Sequence, residues 1–168
     1  LIFGKDRSLA DCFQTFEHTP PKQACDADRA AIQALTSDLA NDPNLQEGHL
    51  FIVFLDSTHF DYSWPKDQPA RFIPFGSEIS YFRAIQSKNN IELIKNRYRN
   101  AVHYIDSLFG QFLRIAPADS LIAFTGDHGE EFFERGHLFH NSHLIHEQTH
   151  VPIYLRILGI QRKVPLLS

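Results

Sequence analysis

Asp127 and His128 are adjacent, are flanked by Gly126 and Gly129, and follow directly on the apolar run Leu121 to Thr125. A carboxylate and an imidazole at one strand end can both reach a single divalent cation if the backbone turns sharply, and glycines permit such a turn. Oxygen plus imidazole donors suit zinc or manganese, with magnesium or calcium less favoured because of the nitrogen. The same pair could instead be a hydrogen-bonded turn in which Asp127 orients the ring. Six of the ten histidines lie between His128 and His150, so imidazole is concentrated around this turn. A second polar cluster, Asp56-Ser57-Thr58-His59, follows another apolar run. In parallel strands of one sheet, both clusters would face one crevice at the carboxyl edge.

Two further histidine patterns compete with this reading. His146-Glu147-Gln148-Thr149-His150 satisfies H-E-x-x-H, which on a helix sets two zinc ligands on one face with a general base between them, the site of a zinc metalloprotease. Pro152 arrives two residues later and cuts the required helix short, and no His, Asp or Glu follows His150 as a third ligand. His137, His140, His143 and His146 recur every three residues, a spacing that drifts by about 60° per step on a helix and so cannot bring all four to one ion. A polar, histidine-rich loop beside the site accounts for them as well.

The elements that must position these residues are legible from periodicity. Asp26 to Asn41 carries Ile32, Leu35 and Leu39 on one face and is followed by Pro43, which predicts a helix. His49 to Leu55 is apolar on both faces, as expected of a strand covered on both sides. Asn89, with Glu92 three residues on, reads as a capping box, and Pro117 closes the segment. Between them Ile94, Tyr98, Ala101, Ile105, Leu108 and Phe112 form the stripe of an amphipathic helix over 89–116. Strands are predicted over Leu121 to Thr125 and Val151 to Leu158. This order argues for an α/β fold with a largely parallel sheet flanked by helices, in one domain over 1–168. The connection from 57 to 88 is long, and its aromatic residues Phe60, Tyr62, Trp64, Phe72, Phe75, Tyr81 and Phe82 either seat a ligand or anchor the loop.

Composition excludes several classes. The content is 43% hydrophobic and 21% charged, ordinary for a packed domain. A net charge of -4 supplies no basic field for nucleic acid. No run approaches the roughly 18 apolar residues of a membrane span. The absence of methionine and the start at Leu1 predict a piece of a longer protein. Cys12 and Cys25 could pair in an oxidising compartment or stand as two thiols in a reducing one.

Phe124-Thr125-Gly126-Asp127-His128-Gly129-Glu130-Glu131-Phe132, then Glu134-Arg135-Gly136, then Glu147 to Ile153, resembles the carboxyl-half signature of the sulfatase-like branch of the alkaline phosphatase superfamily. Arg97 to Leu108 is similar to the helix preceding that signature. The match is nearest to membrane-anchored lipid head-group transferases, such as phosphoethanolamine transferases, and to inner-membrane sulfatase-like proteins. The resemblance implies an alkaline-phosphatase-like partial domain with a divalent metal held by Asp127 and His128. It implies that His140 and His59 contact the transferred group of a phosphate or sulfate ester, a lipid head group among them. It also implies an extracytoplasmic location, with membrane attachment through other parts of the parent protein. Family enzymes take a Thr, Ser or formylglycine nucleophile from the amino-terminal half, and neither Ser8 nor Thr15 has that setting. The chain alone is therefore expected to be inactive, either as part of an enzyme or as part of a non-catalytic relative that binds lipid or envelope components.

Overall fold

The computed structural model describes residues 14–15, 23–77, 88–140 and 143–157. Helix α1 (Ala24–Asn41) is followed by a 3-10 turn (Pro43–Gln46), helix α2 (Lys88–Ile115), strands β1 (Ile122–Thr125), β2 (Glu131–Phe132) and β3 (Leu138–Phe139), the single-turn helix α3 (His146–Thr149) and strand β4 (Ile153–Arg156). Cys12, Tyr81, Phe82 and Leu158 lie outside the described residues, and with them any pairing of Cys12 with Cys25.

Helix α2 is the spine. Its apolar stripe is buried at Ile94, Ala101, Ile105 and Leu108, as its spacing dictates. Toward its amino end, Ile94 and Ala101 meet Tyr62, Phe132 and Leu138, with Tyr98 packed alongside. Toward its carboxyl end, Tyr104, Ile105 and Leu108 meet Cys25 and Ile32 of α1, with Trp64 and Phe124 at the margin. Asn89 falls within the helix, one residue past its start, so it is not the cap that its spacing from Glu92 predicts.

Polar side chains of the two helices fasten the long connection. The buried amide of Asn100 accepts from the N–H groups of Arg71 and Phe72, both at 2.9 Å, and donates to Phe72 O at 3.0 Å. The Arg97 guanidinium donates to Asp61 O, Gly76 O and Ser77 O. Asp28 of α1, almost wholly buried, accepts from the N–H groups of Asp56 and Ser57 and from the Ser57 hydroxyl. Backbone groups that a loop would otherwise leave unpaired are thereby satisfied, and the turn carrying His59 is locked to α1. The aromatic residues of the connection anchor it. Trp64 packs edge-on against Phe75 and under Arg97, and Phe60 packs against Phe139.

Among the described residues the strands pair antiparallel, and the expected parallel sheet is not seen there. β1 pairs with β4 antiparallel, Ile122 opposite Arg156, and β2 pairs with β3 antiparallel. The chain between β1 and β4 holds a hairpin and one helical turn, without the long crossover helix that parallel neighbours need. The run 49–55 joins no ladder among the described residues, and Leu50 to Phe54 are exposed.

Candidate functional site

The site is built where the β1 carboxyl end, the β2–β3 hairpin and the turn at 56–62 meet. His128 leaves β1 through the Gly126–Gly129 turn. Among the described residues the positive-φ glycines are Gly48 and Gly136, so this turn does not draw on the left-handed freedom of glycine. Gly129 serves a different need: its N–H donates to Gln148 O at 2.8 Å, and a Cβ there would lie 2.2 Å from Glu147 O. The absence of a side chain is what lets α3 close over the turn.

The four residues singled out by sequence lie in one row. Asp127 Oδ1 is 3.8 Å from His128 Nε2 and also accepts the His128 backbone N–H at 3.0 Å. The His128 ring is 4.0 Å, centroid to centroid, from His140, and His140 is 5.7 Å from His59. His128 Nδ1 lies 3.0 Å from Gly129 O, so a proton on Nδ1 is bound by that carbonyl and Nε2 is left with its lone pair on the Asp127 side.

Two residues that sequence reasoning passed over complete the cluster. Glu130 has one carboxylate oxygen against His140 Nδ1 and the other accepting from the Tyr62 hydroxyl at 2.5 Å. Burial, reinforced by the neighbouring Glu130 carboxylate, pushes the Tyr62 phenol well above its ordinary pKa and keeps it a donor. His128, Glu130 and His140 offer donor atoms within 4.8 Å of one another, the one group of three such residues among those described. The signal for Glu130 was its place in the D-H-G-E run. For Tyr62 there was none, because its approach depends on the folding of a long loop.

The other patterns are dispersed. His137 stacks with His143, and His146 with His150, at ring separations of 4.7 and 3.7 Å, but neither pair joins a third donor among the described residues. The helix carrying His146 and His150 is one turn long, and Glu147 faces Arg135. Glu131, fully buried, accepts from the N–H groups of Arg135 and His137 and so folds the hairpin that delivers His140.

A family model described as Sulfatase matches residues 11–164. No curated protein and no solved structure matches the chain.

Proposed function

The chain belongs to the sulfatase family, and from that premise we propose that the protein cleaves a phosphate or sulfate ester at the row formed by Asp127, His128, His140 and His59. The observation that supports this reading is the run of ring contacts that brings His128, His140 and His59 together from three separate segments, with Asp127 beside His128. Family members generally use a divalent metal, and Asp127 with His128 fits one. Their facing donor atoms are 3.8 Å apart, near the spacing of about 3.3 Å that two ligands adopt on a tetrahedral ion. We propose zinc or manganese, because one donor is an imidazole. When bound, the ion would supply a Lewis acid for the ester oxygen and for the attacking group. His140 and His59 would hydrogen-bond the remaining oxygens of the transferred group and so stabilise charge that develops there.

Ser57, in the turn that carries His59, is fully buried, and its hydroxyl is committed to Asp28. We therefore place the nucleophile in a segment outside these residues, as the resemblance implies. A lipid head-group substrate, an extracytoplasmic location and the parallel sheet of a complete α/β domain belong to the same proposal.

The test is turnover of aryl sulfate, aryl phosphate and a phosphoethanolamine lipid by the protein expressed from its complete gene. His140→Ala is expected to lower kcat on the preferred ester by about 100-fold or more, as for removal of one oxyanion donor. Full activity in both His140→Ala and His59→Ala would sink the assignment of those two residues.

A further inference from the structure

Glu130 is the residue on which the polar contacts of the site converge. Its side chain is 5% exposed, yet both carboxylate oxygens are engaged, one by His140 Nδ1 and the other by the Tyr62 hydroxyl. A carboxylate offers only lone pairs, so the His140 nitrogen facing it must carry the proton. Nε2 is then the ring atom left to meet anything bound beside His128 and His59. We infer that Glu130 is a positioning residue: it holds the Nδ1–H and the ring orientation of His140, so that Nε2 and any proton on it point at the transferred group, and the Tyr62 hydroxyl in turn fixes Glu130. This rests on the reading that His140 faces the transferred group.

The backbone around the three residues carries the strain that such a constraint requires. Tyr62 has φ +35° and Phe139, adjacent to His140, has φ +72°. Each such residue persists only where the surroundings over-determine it. Those surroundings are visible. Tyr62 is 1% exposed and packs against Tyr98 at 5.1 Å and Phe132 at 6.3 Å, which aims its hydroxyl at Glu130. Phe139 is held by Phe60 at 5.3 Å. Engagement of both oxygens also argues against Glu130 as a direct metal ligand, since a cation would have to displace the His140 proton.

Long-range 1H–15N correlation spectra of the 15N-labelled 168-residue chain read the tautomer of each histidine directly. In the wild-type chain His140 is expected to carry a proton on Nδ1. In Glu130→Ala its two nitrogen shifts should average or exchange order, while His103 on α2 stays unchanged. Tyr62→Phe keeps the ring packing and should move His140 in the same direction by less. A wild-type His140 protonated on Nε2 with no proton on Nδ1 overturns the inference. So does a folded Glu130→Ala chain that keeps the wild-type pattern; should that variant not fold, an unmoved pattern in Tyr62→Phe overturns it. Addition of zinc alone that removes the His140 Nδ1–H signal in the wild type, but not in Glu130→Ala, would make Glu130 a ligand and reject the positioning role. The spectra need neither metal nor ester, so they decide this point even if the complete protein turns over no ester. In that complete protein Glu130→Ala is expected to lower kcat about 10–100-fold with KM retained.

Discussion

Asp127 and Glu130 are acids three residues apart whose surroundings divide the work between them. Asp127 is 69% exposed and turns back on its own neighbour, whereas Glu130 is enclosed and faces a histidine from another segment. An exposed carboxylate keeps its charge without help and can offer it to a cation; an enclosed one needs partners and is suited to holding another side chain in place. Asp127→Ala should therefore remove the stoichiometric metal, about one ion per chain, that the family reading expects. Equal metal in mutant and wild type by elemental analysis would reject Asp127 as a ligand. At this scale His59 and His140 were reached through the family resemblance, while the nearness of Asp127 and His128 was legible because the two are adjacent in the chain. Glu130 and Tyr62 were not, since burial and an approach across 68 residues are products of the fold.

Between residue and molecule, the turn after β1 depends on how closely α3 approaches it. A Cβ on residue 129 would meet the Glu147 carbonyl, which is backbone and cannot swing aside, so Gly129→Ala must part α3 from the turn and break the bond from Gly129 N to Gln148 O. A loss of roughly 2–4 kcal/mol is expected, from the broken bond together with the contacts that separate. Gly126→Ala, whose nearest contact is 3.3 Å, should cost much less, and urea midpoints of the two variants measure the difference. Lys95 on α2 ties down the same hairpin through Glu134 at 2.8 Å. Burial pushes the Glu134 carboxyl up, but the Lys95 ammonium and the Phe132 N–H outweigh it and hold the group below its ordinary value of 4.5. Stability from this pair is complete above that value and is lost as pH falls through the depressed one. Because both partners are partly solvated, Glu134→Gln should cost less than about 1 kcal/mol at neutral pH and nothing once wild-type Glu134 is protonated. Urea midpoints at pH 7 and below pH 4 distinguish that from a pH-independent loss. Helices α1 and α2 were legible to within two residues because their stripes repeat over many turns. The hairpin was not, as two-residue strands carry no period, and strand direction is set by which segments meet rather than by composition.

Over the whole molecule, apolar patterning promised more burial than the described residues deliver. Leu50, Ile52 and Phe54 are 79%, 67% and 49% exposed, and Ile153, Tyr154 and Leu155 of β4 are open as well. β1 and β4 pair only with each other among the described residues, and a two-stranded ladder is marginal on its own. A run apolar on both faces, as 50–54 is, has the pattern of a strand that is covered on both sides. The transfer cost of leaving it in water is of order 25 cal/mol per Å², so several such side chains together favour any contact that covers them. The 168-residue chain is therefore expected to enhance the fluorescence of a hydrophobic dye and to associate as its concentration rises. Ile52→Lys places a charge in the middle of the run without touching the buried clusters around α2, so it should reduce both effects while leaving the helical circular dichroism unchanged. Sedimentation velocity and dye titration of the two chains make the comparison. If wild type stays monomeric and binds no dye, residues 50–54 are covered in solution, and the reading of this run as an exposed apolar surface is wrong.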